Sequence, residues 1–254
     1  MTAPLTLPPL RMTRRGFRTL TAVQAKLLLR EPAALIWLLL PVVLLVIFGN
    51  IPGFLTPQTS LHGKRVIDAY VPTLAAMVPL FLGCTALPMT MAGYREKDVL
   101  RRLSVSPVPA RGLLAALVTV IAALAVADVV VMVAIGVLAF DVTAPADPAA
   151  VLASFLLGGA AVLALGLMVA AVARNSGIAS ALGVPMMVVN FFFSGLYFPL
   201  DEMPRLLRAV GEFVPFGAVM DAWAGYGPLW RHLLVLAAWT VLGSVVASRT
   251  FRWE

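Results

Sequence analysis

Six stretches of about 20 apolar residues, each long enough for a bilayer-crossing helix, alternate with short polar segments along the chain. They lie near 33–51, 69–92, 109–140, 149–172, 178–198 and 229–247. The pattern predicts an all-α polytopic membrane protein with six transmembrane helices. Pro41, Pro79, Pro88 and Pro185 fall inside the runs and predict kinks, which membrane helices tolerate when neighbours re-satisfy the backbone. The third run is longer than a bilayer requires and predicts a tilted helix or one that projects into the cytoplasm.

A different periodicity precedes the first run. At 100° per residue, Phe17, Leu20, Val23, Leu27 and Leu28 share one face, while Arg15, Arg18, Thr19, Lys26 and Arg30 share the other. This predicts a helix in the membrane interface with its basic face towards headgroups; the alternative is a soluble basic tail. The resulting organisation over 1–254 is one membrane domain. It has a Pro-rich disordered tail (1–10), an interfacial helix (11–31), six membrane helices (33–247) and a cytoplasmic tail (248–254).

Two polar segments stand out. From Tyr94 to Pro107 the chain carries Arg95, Glu96, Lys97, Asp98, Arg101 and Arg102, with Val99, Leu100 and Leu103 at helical spacing. So many charges belong at the water edge. The segment reads as a short amphipathic helix between spans two and three, offered to a partner; the alternative is a basic loop that only fixes topology. The second segment follows span five. Phe198-Pro199-Leu200-Asp201-Glu202-Met203-Pro204 opens it, and Leu206, Leu207, Val210, Phe213 and Val214 recur at helical spacing. Two short outer helices broken at Pro215-Phe216-Gly217 would satisfy a segment too apolar for a free loop; the alternative is a surface helix with no transport role.

Composition agrees with a membrane protein: 61% of residues are hydrophobic, 12% are charged, and the mean hydropathy is +0.97. The net charge of +7 does not imply nucleic-acid binding, because the cations sit beside apolar spans and no such motif accompanies them. Orientation follows the basic residues. Arg11, Arg14, Arg15, Arg18, Lys26, Arg30, Arg95, Lys97, Arg101, Arg102, Arg111, Arg174, Arg249 and Arg252 fall on one side. Lys64, Arg65, Arg205, Arg208 and Arg231 fall on the other. Both termini and the 93–107 segment are therefore expected in the cytoplasm. About thirty polar and basic residues ahead of the first run, with no small-residue cleavage site after it, argue against a cleavable signal peptide.

Catalytic signatures are sparse. No phosphate-binding loop occurs: Gly63-Lys64 lacks the upstream glycine and the following hydroxyl residue. No metal-ligand spacing involves the single cysteine, Cys84. His62 and His232 read as interfacial residues, not as catalysts. Two features inside the spans invite a role in a substrate pathway. Asp128 lies in span three among Ala127, Val129, Val130 and Val131, and a membrane carboxylate is a functional candidate by default; the structural alternative is a carboxyl that is protonated or hydrogen-bonded to a neighbouring helix. Asn190 with Phe191, Phe192 and Phe193 in span five forms a polar and aromatic cluster, which helix packing explains equally well. Gly158-Gly159-Ala160-Ala161 and Gly166 favour close helix contact.

Taken together, these segments resemble the membrane subunits of type-2 ABC exporters, the group that includes daunorubicin-exporter permeases. The segment Tyr94-Arg95-Glu96-Lys97-Asp98-Val99-Leu100-Arg101-Arg102-Leu103 with Pro107 is similar to the family's R-E-x-G-T-L-x-x-L…P. Phe193-Ser194-Gly195-Leu196-Tyr197-Phe198-Pro199-Leu200, with Met203-Pro204 and Pro215, is similar to its S-G-x-x-x-P-x-x-x-x-P…P. The amphipathic helix ahead of span one also fits. Asp98-Val99 departs from the family's Gly-Thr, and Asp221 or a neighbour stands where the family often has an arginine.

The resemblance implies a permease in the bacterial plasma membrane that moves a hydrophobic or amphiphilic substrate (drug, lipid or glycolipid) out of the cell. It implies that 93–107 is the coupling helix, docked on a separate cytoplasmic ABC ATPase subunit that binds ATP and Mg, with Arg95, Glu96, Lys97, Asp98, Leu100, Arg101 and Arg102 at the contact. It implies that a second permease chain completes the pore, that spans two and five line it, and that Pro199, Pro204 and Pro215 shape the outer cap. Two alternatives remain: a membrane-embedded lipid-modifying enzyme, which needs convergent carboxylates or histidines, and an ion-coupled secondary transporter built around Asp128.

Overall fold

The computed structural model describes residues 13–57, 63, 65–99, 110–143, 147–194 and 203–250. Leu100, Arg101, Arg102, Pro107, Pro199 and the terminal tails at 1–12 and 251–254 lie outside the described residues. Helices dominate, and the one isolated β-bridge among the described residues joins Pro57 and Arg65. Among the described residues five helices are long and apolar enough to cross a membrane: Pro32–Gly49 (span one), Val66–Glu96 (two), Arg111–Phe140 (three), Pro148–Val172 (four) and Leu229–Thr250 (six); the expected fifth corresponds to a shorter apolar helix, Ser176–Phe192, labelled span five.

Span five begins and ends earlier than its apolar run suggested. Asn175 caps it by accepting a hydrogen bond from the Ile178 N–H at 2.8 Å. With 17 residues it is about 25 Å long, short for a hydrocarbon core of roughly 30 Å. Its neighbours nevertheless show the path it takes. Ser176 bonds to Glu96 at one end of span two, and the Ser194 carbonyl accepts from Thr73 Oγ1 near the other. Span five thus runs antiparallel beside span two over most of its length.

Span two is the centre of the molecule: 89% of its most apolar window is buried, against 17% for span six and 22% for span one. Pro72, Pro79 and Pro88 interrupt its hydrogen bonding, and Leu82–Ala86 form a π-helical turn between the last two. Pro88 has no N–H for the Cys84 carbonyl four residues earlier, so a strict α-ladder cannot close there. Of the prolines expected to kink the spans, Pro79 and Pro88 flank that turn, while Pro41 and Pro185 lie inside the helices of spans one and five. Two glycines receive the turn. A methyl group on Gly166 of span four would overlap the Gly83 carbonyl oxygen, and one on Gly183 of span five would overlap that of Cys84. Small residues let the backbones meet where the carbonyls bulge outwards.

The amphipathic helix is Arg14–Leu29, capped by the Thr13 hydroxyl, which accepts from the Gly16 N–H at 3.1 Å. It packs on span three and span one with Gln24 and Leu28 buried. Beyond span five, two short helices occupy Arg205–Gly211 and Pro215–Ala224. Pro215 is the first helical residue of the second, where its missing N–H costs nothing, so the break precedes it. The second outer helix packs on spans four and six. Trp223 Nε1 donates to Ser154 Oγ at 2.8 Å, and Trp239 Nε1 donates to the Phe213 carbonyl at 2.7 Å.

Candidate functional site at the C-terminal end of span two

Three consecutive residues at the end of span two each tie it to a different element. The Tyr94 hydroxyl donates to Gln24 Oε1 of the amphipathic helix at 2.6 Å. The Arg95 guanidinium donates to the Ala170 carbonyl and, at 2.9 Å, to the Ala173 carbonyl, both at the C-terminal end of span four. The Glu96 carboxylate accepts from the Ser176 N–H at 2.9 Å and from the Ser176 hydroxyl at 2.6 Å, at the first turn of span five.

The charges match what they meet. The last carbonyls of a helix lack partners and carry partial negative charge, while the first N–H groups carry partial positive charge. Arg95 therefore caps the negative end of span four, and Glu96 caps the positive end of span five. Adjacent residues of opposite sign are committed to two other helices. In sequence they look like an exposed ion pair; only the tertiary fold reveals their partners.

The turn after Glu96 differs from the expected start of an amphipathic helix. Tyr94–Glu96 belong to the last turn of span two. Lys97 and Asp98 close it, with the Lys97 N–H on the Gly93 carbonyl at 3.1 Å and the Asp98 N–H on the Arg95 carbonyl at 3.0 Å. Asp98 has φ 53°, the left-handed conformation that commonly ends helices and that glycine adopts most easily. The family's Gly-Thr has its glycine at this position. Aspartate tolerates that conformation better than most residues, which explains how the departure is accommodated.

The other end of span two is clamped differently. Arg65 Nε and Nη2 donate to Asp68 Oδ2 and Oδ1, both at 2.9 Å. The same guanidinium reaches the carbonyls of Phe140 and Asp141, and the Thr143 N–H donates to Asp68 Oδ1 at 3.3 Å. The bonded Asp68 carboxylate raises the Arg65 guanidinium pKa further.

The candidate pathway residues do not form one site. Asp128 is 5% exposed, and its Oδ2 has no hydrogen-bond partner among the described residues. Span three, which carries it, packs mainly on the amphipathic helix and the first part of span two; span five packs on the π turn and the inner half of span two. Asn190 joins span five to the outer helices: its Nδ2 donates to the Met186 carbonyl at 2.9 Å, and its Oδ1 accepts from the Phe216 N–H at 3.2 Å. Phe191 and Phe193 are buried, and Phe192 meets Phe193 edge-on at 5.1 Å. Pro204 precedes the first outer helix and Pro215 opens the second. Around them Arg231 pairs with Glu212 at 2.8 Å, and Arg208 lies 4.6 Å over the Tyr226 ring. Asp221, in the second outer helix, is buried, which raises its carboxyl pKa against the opposing pull of His232 and Arg208.

A family model for the ABC-2 type transporter matches residues 15–225, from the amphipathic helix through the second outer helix. No curated protein matches the chain.

Proposed function

The chain belongs to the ABC-2 type transporter family, as the multi-pass permease component, and from that premise we propose an ATP-driven exporter in which Arg95 and Glu96 transmit the work of a separate ATPase to spans four and five. The ATPase docks on the cytoplasmic turn at Lys97-Asp98 and on the residues after it, Leu100, Arg101 and Arg102. It supplies ATP and Mg; this chain supplies the lever. A push on that turn acts on Glu96, which is bonded to the start of span five, and on Arg95, which is bonded to the end of span four. Tyr94 carries the same displacement to the amphipathic helix through Gln24. Two such permease chains enclose the pathway, both termini face the cytoplasm, and the cargo is hydrophobic or amphiphilic.

The observation that supports this reading is the capping of two span termini by adjacent residues of one helix. A segment that only fixed topology would need the charges but not these partners. The test is reconstitution of the permease with its nucleotide-binding subunit in proteoliposomes. Glu96→Ala is expected to leave the chain inserted while lowering transport and substrate-stimulated ATP hydrolysis roughly tenfold, a mid-range coupling between two sites. Unimpaired transport would overturn the assignment. The ion-coupled alternative draws on one observation, the unpartnered Oδ2 of buried Asp128. It predicts transport driven by an ion gradient without nucleotide, so omitting ATP from the same vesicles separates the two readings.

A further inference from the structure

Beside the Glu96 clamp lies a cavity of about 570 Å³ between the amphipathic helix, the start of span one and the inner half of span two. That volume falls within the range of about 300–1,000 Å³ typical of small-molecule sites. Its lining is mixed. Ala34, Phe81, Ala86 and Leu117 supply apolar walls, and Arg30, Glu31, Thr90 and Lys97 supply polar and charged groups. Leu27 and Met89, also in the lining, are 54% and 37% exposed. The exposed part of the lining thus carries apolar side chains, Leu27 and Met89, together with charged ones, Arg30, Glu31 and Lys97, a combination that an amphiphile meets with its chain and its head.

The charges at its rim are unequally occupied. Both Glu96 oxygens are taken by Ser176. The exposed side chains of Arg30, Glu31 and Lys97 form no hydrogen bond or ion pair among the described residues, although Lys97 acts on Glu96 and Glu31 on Tyr94 through longer-range electrostatics. Two cations and one carboxylate beside apolar walls match a head that carries a phosphate and an ammonium group, attached to a hydrocarbon chain.

We propose that this cavity binds a zwitterionic phospholipid-class amphiphile from the leaflet beside the amphipathic helix, with one chain between Ala34 and Ala86 and the head on Arg30, Lys97 and Glu31. A lipid seated there wedges the amphipathic helix against the inner end of span two. The site would thus be occupied or vacated beside the segment that carries Arg95 and Glu96.

The proposal concerns binding by the permease chain alone and stands or falls without any ATPase. Full-length chain in non-ionic detergent micelles would be photolabelled with a trace of phosphatidylethanolamine carrying a photoreactive group in its acyl chain. Mass spectrometry would then compare labelling of cavity peptides with that of the exposed span-six segment around Val241 and Leu242. Excess phosphatidylethanolamine should suppress the cavity label, whereas diacylglycerol, which lacks the head, and soluble phosphoethanolamine, which lacks the chain, should not. Met89→Trp at the entrance and Ala86→Trp in the wall should each reduce it. Arg30→Gln with Lys97→Gln should reduce it about tenfold, the scale of one charged contact. Label no denser in the cavity than on span six would overturn the proposal. So would competition by diacylglycerol equal to that by phosphatidylethanolamine. Met89→Trp guards against misreading a folding defect in Ala86→Trp, because Met89 is already partly exposed.

Discussion

The two ends of span two use the same pair of residue types in opposite ways. At the N-terminal end, the outer one in the proposed orientation, Arg65 and Asp68 neutralise each other through two 2.9 Å bonds, and together they hold the end of span three. At the C-terminal end, the inner one in that orientation, Arg95 and Glu96 are adjacent and are committed to the ends of spans four and five. A closed pair needs little from its surroundings and fixes one joint. An open pair depends on two other helices, so moving any one of the three strains the contacts of the rest. The outer end is built as an anchor and the inner end as a junction.

If that contrast is right, the largest difference should appear in topology-resolved chemistry. With Cys84→Ala as background, a cysteine at position 147 should react with an impermeant thiol reagent on intact cells, while one at position 96 should react only after permeabilisation. The reverse pattern would exchange the two ends. Next in size is function. Arg95→Ala should reduce transport at least as much as Glu96→Ala, because it strips the Ala170 and Ala173 carbonyls of their donor. Asp68→Asn at the outer end should lower the thermal midpoint on the order of a few degrees while largely retaining transport per folded molecule. Equal transport losses at both ends would erase the distinction.

A smaller effect concerns carboxylates away from the clamps. Asp147 accepts hydrogen bonds from the Ala149 and Ala150 N–H groups, both at 3.0 Å, at the start of span four. Asp147→Ala should therefore cost about 1 kcal/mol of stability. Asp128 has an orphan oxygen in a buried setting, so Asp128→Leu should match or exceed the wild type in stability, because replacing an unsatisfied buried polar group removes a penalty of about 1–3 kcal/mol. A midpoint lowered by Asp128→Leu would reveal a partner for this carboxylate. The smallest effect is expected at Asp98. Asp98→Gly should relieve left-handed strain of about 1 kcal/mol and raise the thermal midpoint slightly, whereas Asp98→Val should lower it.

Much of this architecture is legible in the sequence. Run length locates the spans, because a bilayer imposes one length scale on them all. The amphipathic periodicity of 14–30 locates the first helix. The Arg-Glu segment is visible as charge at a water edge, and its similarity to the family motif marks it as important. Its partners are not visible, since they are the carbonyls of residues 170 and 173 and the N–H and hydroxyl of Ser176, which only the fold brings to it. Asn190 illustrates the same gap. Its type and position fit a pathway residue, but its side chain holds the Phe216 N–H, a bond between residues 26 apart. The π turn was legible only as prolines, and its receivers only as Gly166 and Gly183 in other spans. The left-handed turn left one trace, an aspartate where the family has glycine.

The central claim, that the inner junction passes movement from the ATPase contact to span five, is tested most directly by a double-mutant cycle across the Glu96–Ser176 contact. Ser176→Pro removes both the hydroxyl and the N–H that Glu96 accepts from, at a first-turn position where proline is compatible with a helix. Asn175 before it is already extended, at φ −144° and ψ 165°, as a residue preceding proline should be. Transport and substrate-stimulated ATP hydrolysis would be measured in proteoliposomes for the wild type, Glu96→Ala, Ser176→Pro and the double variant. The account predicts that each single change impairs coupling and that the double variant is no worse than Glu96→Ala alone. Additive losses, or full coupling in Ser176→Pro, would contradict it.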